Sequence, residues 1–360
     1  MKKYKIFVCS WGDLFYDSLI GFFLPSLLGK GNIDCFDKKK DEGELILYLD
    51  KKNIEKIKKT RVFHNIEKNI KILIINIDEI SDYKEHKYNT MTLCHKNFIN
   101  SCDKGNIMIF LHPDVLVSEN TFQAIIEIMK HKKALLVHGL RARLDQLMKN
   151  LSTIKTRDKI SISPLKLLDT YQCYKHEYSQ LRTWGGEGST WPLELYFENK
   201  TNKSFVAIVN GLHPLAVEKT KEDVTFHTFD NDLIDKLLGE DVEKNSYFLK
   251  KSDSFLIVEF SMPTYKVGYN IKKLTPLYIS YVHYNYMKDD SRDVCFSKNF
   301  HFMGSDKNKV DWGYLDKKAD AIRKKIWYWK KLLKIGIFNR FLKFYYENIR
   351  KRKEPWKIEE

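Results

Sequence analysis

Apolar and polar positions in the first 140 residues alternate between two periods. Five short runs are apolar almost throughout: Tyr4–Ser10 (YKIFVCS), 44–49 (ELILYL), 70–77 (IKILIINI), Ile107–Leu111 (IMIFL) and Ala134–Val137 (ALLV). Runs of this length and composition predict strands buried on both faces. Between them the apolar positions space out to helical period. A helix is predicted over 14–28, carrying Phe15, Leu19, Phe22 and Phe23 with Pro25 near its end. Others follow over 51–60 and 90–101, and a fourth carries Phe122, Ile125, Ile126 and Met129 after a cap within 118–120. Strands alternating with helices predict an α/β fold, a Rossmann-type mixed sheet with helices on both faces. Residues 106–143 are its centre: strand, acidic loop, helix, strand. Pro113 has no N–H for a sheet ladder, so the strand ends before it and leaves Asp114 at a carboxyl edge. Ligands of open α/β sheets bind at such edges.

From 144 to 164 the chain turns polar and loses its period, and a region richer in aromatics follows. Residues 182–192 read RTWGGEGSTWP, a glycine-rich loop between Trp184 and Trp191. Phe205–Val209 predicts a strand, and Asn210-Gly211-Leu212-His213-Pro214 comes directly after it. The segments 226–232 (FHTFDND) and 252–259 (SDSFLIVE) set carboxylates beside apolar stretches. Residues 278–286 (YISYVHYNY) alternate with period two, which predicts a half-buried strand. From Ile322 onward, Ile326, Trp329, Leu333, Ile337, Phe341 and Phe344 recur three or four apart, as on one helical face, with Gly336 dividing the segment into two helices.

Composition narrows the class. The 360 residues suffice for one large or two modest domains, and 43% hydrophobic against 30% charged residues describes a soluble globular chain. No apolar run approaches the roughly 18 residues of a membrane span. The longest, 19–28, is interrupted by Gly21 and Pro25. Lys2 and Lys3 lead straight into a strand, so no signal peptide is expected. The six cysteines form no CxxC pair and read as free thiols of a reducing cytoplasm. Charge is uneven. Residues 317–353 hold 14 Lys or Arg against Asp320 and Glu347, which is +12 of the total +15. The basic character belongs to the C-terminal segment and speaks of that segment's partner.

Neither GxGxxG nor a P-loop occurs. In order and spacing, residues 4 to 260 resemble bacterial glycosyltransferases with a nucleotide-sugar-binding fold of the GT-A type. FVCSWGDLFYDSLIGFFLPSLL resembles the first strand and helix that line the nucleotide pocket. IMIFLHPDVLVSENTFQAII resembles the strand, DxD loop and helix that hold the sugar-phosphate end, and VNGLHPLAV a later strand and loop facing the same pocket. Here DxD is degenerate: His112-Pro113-Asp114 matches only its second aspartate.

The resemblance implies a nucleotide-sugar donor, with His112 and Asp114 as ligands of Mn or Mg, or alternatively a metal-free site in which cations meet the leaving diphosphate. Trp11, Asp13 and Asp50 lie at earlier strand ends. Asp13 and Asp50 would either bond base or ribose or serve as turn and cap residues. His213 would reach the diphosphate or a metal, or else be a satisfied core histidine. Arg141 and Arg143 would hold phosphate or form surface ion pairs. Glu187 is the first candidate for the catalytic base, ahead of Asp230, Asp232 and Asp253. Trp184 and Trp191 would stack on sugars or pack in the core.

The expected division is 1–145 for the donor, 146–310 for the acceptor and 311–360 as a basic, aromatic helical tail. The expected activity is sugar transfer to a growing surface glycan: lipooligosaccharide, capsule or O-antigen. The tail would hold the enzyme on the anionic inner face of the cytoplasmic membrane, with no nucleic-acid partner, and a chain ending near Asp316 would stay folded. Rival readings are a nucleotidyl- or phosphotransferase on a related fold and a nucleic-acid-binding protein acting through the tail.

Overall fold

The computed structural model describes residues 2–37, 42–80, 87–186, 188–189, 192–198, 203–222, 231–239, 242–264, 270–271, 273–286 and 290–346. The chain forms two compact units. One comprises Met1–Leu140, Leu144–Leu167 and Leu212–Phe260, and the other Arg141–Arg143, Leu168–Gly211 and Ser261–Glu360.

The principal strands of the first unit are β1 (Tyr4–Ser10), β2 (Gly43–Leu49), β3 (Lys71–Asn76), β4 (Ile107–Leu111), β5 (Val115–Val117), β6 (Ala134–Val137), β7 (His213–Glu218), β8 (Ser246–Phe248) and β9 (Ile257–Ser261). Seven of them make one sheet in the order β8-β6-β7-β4-β1-β2-β3. β1 pairs in parallel with β2 and β4, β2 with β3, and β6 with β8. β7 alone runs antiparallel, between β4 and β6, and its register slips between Pro214 and Ala216. Proline cannot donate to the ladder, and the bulge absorbs that loss. Val115 to Val117 pair with Glu259 to Ile257 in a separate small sheet.

Helices α1 (Gly12–Ser18), α2 (Lys51–Ile57), α3 (Lys87–Ser101) and α4 (Thr121–Met129) cover both faces. Ile6, Val8, Leu45, Leu47 and Ile109 share a core with Tyr16, Phe122, Ile125 and Met129 of α1 and α4. On the other face the Phe7 ring stands 5.1 Å from Phe98 and 4.6 Å from His95, both on α3. Each of these side chains is sealed from water, and full burial of one large apolar side chain contributes about 1.5–3 kcal/mol. The fold class is the one expected, a Rossmann-type mixed α/β sheet with helices on both faces.

The predicted helix over 14–28 is not uniform. After α1 it widens to a π turn over Leu19–Phe23 and then resumes over Leu24–Leu27. Pro25 has no N–H for the carbonyl of Gly21, and Lys155 Nζ donates to that oxygen instead at 2.8 Å. The cap of α4 also differs from the expected one. Asn120 occupies the cap position with φ 61 and makes no side-chain cap bond. Asn32 Oδ1 accepts from Thr121 N at 3.0 Å, while Asn32 Nδ2 donates to Ser26 O and Ser118 O. A Cβ on Gly31, at φ +68, would run into Asn120.

The second unit has an antiparallel sheet in which Phe205–Val209 lies between Glu194–Glu198 and Phe300–Phe302. Against it pack α5 (Pro276–Tyr286) and α6 (Trp312–Leu333), followed by α7 (Gly336–Phe344). The predicted strand over 278–286 is therefore helix α5. Tyr278 to His283 are all buried, so no solvent-facing stripe marks the helical period. Thr275-Pro276, a cap followed by proline in the first turn, is the signal the alternation masks: Tyr278 N donates to Thr275 Oγ1 at 3.2 Å.

The chain breaks at Gly336 as predicted. The single apolar face does not persist through the break. Leu315, Ala319, Ile326 and Leu333 of α6 lie in the core with Tyr278, Ile279 and Val282 of α5, whereas Ile337, Phe341 and Phe344 of α7 are exposed. A chain ending near Asp316 would lose most of that core, contrary to the expectation that it stays folded.

Candidate active site

Parallel strands direct their carboxyl ends to one edge of the sheet. β1 delivers Ser10 and Trp11 there, β2 Asp50, β4 His112 and Asp114, and β6 His138. β7 runs the other way, so its first residue, His213, arrives at the same edge and pairs with Val137. The rings of His112 and His213 are 5.5 Å apart at an interplanar angle of 48°. The chain moves outward from β1 through β2 to β3, then returns to place β4 on the other side of β1. The β1/β4 crevice is thus the topological switch point, flanked by Trp11 and by His112-Pro113-Asp114.

Asp114 is half-buried. Its carbonyl accepts from Phe260 N at 2.8 Å, and Val115 N bonds back to His112 O at 3.3 Å, so the backbone of the loop is fastened. Pro113 is buried and stiffens the turn. Asp50 is buried and serves as a cap. Its Oδ1 accepts from Asn53 N at 2.9 Å, and its Oδ2 from Asn53 Nδ2 at 2.9 Å and Gly12 N at 3.0 Å. Asp13 is exposed and bonds Lys52 Nζ at 2.8 Å, an interaction that holds its carboxyl below the ordinary range. Trp11 is half-buried, 6.3 Å from the ring of Phe15. Asp253 is exposed in the turn that precedes β9.

Arg141 and Arg143 belong to the second unit. The Arg141 guanidinium lies 5.0 Å from the Tyr178 ring, and Arg143 Nη1 is 3.2 Å from Glu177 Oε1. Trp184 stacks on Phe197, 6.2 Å between centroids, and so packs in that unit's core. Glu187, Trp191 and Asp230 lie outside the described residues, as does the side chain of Asp232.

Two edge residues escaped the sequence reading. His138 follows β6 just as His112 follows β4, and both show in sequence as a short apolar run ending in histidine. Ser10 closes β1 with its Oγ fully buried and without a hydrogen-bond partner among the described residues. Nothing in its sequence context distinguishes it. Among the described residues no three His, Cys, Asp or Glu side chains form a group that could hold a metal ion. His112 and Asp114 would be the protein ligands of a Mn or Mg ion arriving with a nucleotide diphosphate, since such ions are commonly held by one or two side chains plus phosphate oxygens.

No family model and no curated protein matches the sequence. Among solved structures, S. aureus TarS 1-349 matches at 16% identity over 39% of this chain and 36% of that chain, with a TM-score of 0.27. The same TarS fragment in complex with UDP-GlcNAc matches at 12% identity over 82% of this chain and 70% of that one, TM-score 0.35. The galactosyltransferase LgtC in complex with donor and acceptor sugar analogs matches at 11% identity over 89% and 95%, TM-score 0.30. In the first of these matches the chain spans about a third of its relative's length. Likeness at this level carries no argument about chemistry.

Proposed function

We propose that this chain is a glycosyltransferase of GT-A type that moves a sugar from a nucleotide-sugar to a bacterial surface glycan. The observation that carries the reading is the switch point itself. In this reading a nucleotide lies against Trp11 and the β1 turn with its diphosphate toward His112, Asp114 and His213, at the edge where open α/β sheets bind ligands. Imidazoles that donate hydrogen bonds there would stabilise the charge that builds on the leaving diphosphate. Glu187, in its glycine-rich loop, takes the proton of the acceptor hydroxyl.

The acceptor is a lipooligosaccharide, capsule or O-antigen intermediate on a lipid carrier, and the enzyme works in the cytoplasm against the inner membrane face. Ile337, Phe341 and Phe344 support this, being 82%, 62% and 58% exposed on one side of α7 beside Arg340 and Lys343. No described helix is long and apolar enough to cross a membrane.

The test is a thermal-shift screen against nucleoside diphosphates and their sugars, followed by an assay for released nucleoside diphosphate with the stabilising donor. A ligand at 100 times its Kd raises stability by about 2.7 kcal/mol. Stabilisation by a nucleoside triphosphate with pyrophosphate release would replace sugar transfer with nucleotidyl transfer. No response to any nucleotide would remove the site assignment altogether.

A further inference from the structure

A cleft of about 350 Å³ opens in the second unit between the start of α5 and the face of α7. Its walls are aromatic and aliphatic: Leu277 and Tyr278 from α5, Phe341 from α7, then Tyr345 and Tyr346. Lys273, which is exposed, supplies a cation to the same lining. The floor is rigid. The Tyr346 ring is 5.1 Å from Tyr278 and 4.8 Å from Tyr281, and both Tyr278 and Tyr346 are buried. Phe341 belongs both to the cleft and to the exposed apolar side of α7, so the two surfaces are continuous. From Ala321 to Tyr346 the chain has no Asp or Glu, while Arg340 and Lys343 border the apolar side of α7.

We infer that the cleft binds one anionic phospholipid of the bilayer leaflet, one acyl chain entering between Leu277 and the tyrosines and the headgroup phosphate resting on Lys273. The volume is that of about ten waters, enough for a stretch of hydrocarbon chain. Three features favour a lipid over a peptide or nucleic acid. The lining is mostly apolar, its uncharged polar groups being Thr275 and the tyrosine hydroxyls, and it has no acceptor carboxylate. The cationic rim complements a phosphate. The cleft also opens beside side chains suited to the headgroup boundary, amphipathic tyrosines and exposed phenylalanine. The inference deepens the membrane-facing reading of α7 and rests on it.

The test separates cleft from surface. Full-length protein is titrated with dihexanoylphosphatidylglycerol kept below its micelle concentration, so that no membrane surface is present, and binding is read by calorimetry. One molecule should bind per chain, at least tenfold more tightly than dihexanoylphosphatidylcholine. Lys273→Glu should weaken binding tenfold or more, and Leu277→Trp should do the same by filling the cleft. Lys273 is exposed, so its variant keeps the wild-type melting temperature and carries the test even if Leu277→Trp disturbs folding. Co-sedimentation with phosphatidylcholine/phosphatidylglycerol vesicles is measured in parallel, and Leu277→Trp should still sediment. Equal binding of the two short-chain lipids, no binding of either, or undiminished binding by Lys273→Glu would overturn the inference. Monomeric lipid bound without vesicle binding would keep the cleft and remove the membrane reading. An acidic peptide or single-stranded DNA that binds where the lipid does not would give the cleft to that partner instead.

Discussion

Gly12 donates its backbone N–H to Asp50 Oδ2 at 3.0 Å, which fastens the turn after β1 to the first turn of α2. The same carboxylate caps α2 through Asn53 N and holds the Asn53 side chain. Asp50→Ala removes all three bonds from a buried position. Loss of the cap alone costs about 0.5–2 kcal/mol, and the donors left behind add about 1–3 kcal/mol. Urea unfolding should show the midpoint shifted down at constant slope. An unchanged midpoint would mean that water replaces the carboxylate freely.

His112, just after β4, and His213, the first residue of the antiparallel β7, are neighbours, 5.5 Å apart by ring centroid. If both meet the diphosphate, each alanine variant should lower turnover tenfold or more with the melting temperature held. The double variant should lose less than the two losses combined, with a coupling of about 0.5 kcal/mol or more. Strict additivity would assign the rings to separate tasks. Asp114→Ala should abolish transfer in a folded protein, and near-normal turnover would remove Asp114 from the site.

Glu187→Gln keeps size and hydrogen bonding but removes the proton acceptor. Turnover should fall by about 10² or more with donor affinity almost unchanged. A fall of less than tenfold would pass the role to Asp230, Asp232 or Asp253, to be tested by the same substitution.

Alkaline conditions should loosen the first unit. Burial pushes the Cys102 thiol up to about 11 and the Cys35 thiol up to about 12, and it raises the Tyr4 phenol to about 12. Each group is neutral in the folded state at a pH where the unfolded chain would already ionise. Their contribution is therefore intact below the unfolded values, near 8.5 for thiols and 10 for tyrosine, and is lost as pH climbs toward 11–12. Thermal melts from pH 8 to 11 should decline, and Cys102→Ser should flatten the early part of that decline. At pH 8 a disulfide reagent should modify Cys173 first, since it alone of the six cysteines is exposed. Rapid modification of Cys102 in the folded protein would contradict this.

The two C-terminal helices should respond oppositely to truncation of a side chain. Ile326 is fully buried in the second unit's core, so Ile326→Ala should cost about 2–5 kcal/mol. The combined variant Ile337→Ser, Phe341→Ser, Phe344→Ser should leave the melting temperature within a few degrees and abolish sedimentation with anionic vesicles. Retained sedimentation would leave electrostatics as the whole of the attraction.

The sheet was legible because β1, β2, β4 and β6 are apolar and buried almost throughout, whereas β3, apolar in sequence, lies at the sheet edge and is half-exposed, contrary to the expectation of burial on both faces. The site was legible only where a proline or an acidic residue punctuates a strand end, as at His112-Pro113-Asp114. His138 and Ser10 reach the same edge, but nothing local separates them from ordinary polar residues. Helix α5 was misread for a physical reason: burial on nearly every side erases the period that identifies a helix. The Asn32 cap of α4 is tertiary, formed with Thr121 at the far end of a long sequence separation, and no local pattern encodes it.

The reversed strand β7 has a bearing on how the chain is made. β4 and β6 bond β7 and not each other, yet β7 is translated only after everything between Val137 and His213. At about 5–20 residues per second, ribosomal synthesis would hold that gap open for roughly 4–15 s. During this interval two apolar strands present raw edges to any other nascent chain. The protein's exposure to misassembly is therefore greatest in mid-translation, and a holdase acting between the appearance of β6 and that of β7 would raise soluble yield more than one supplied after release.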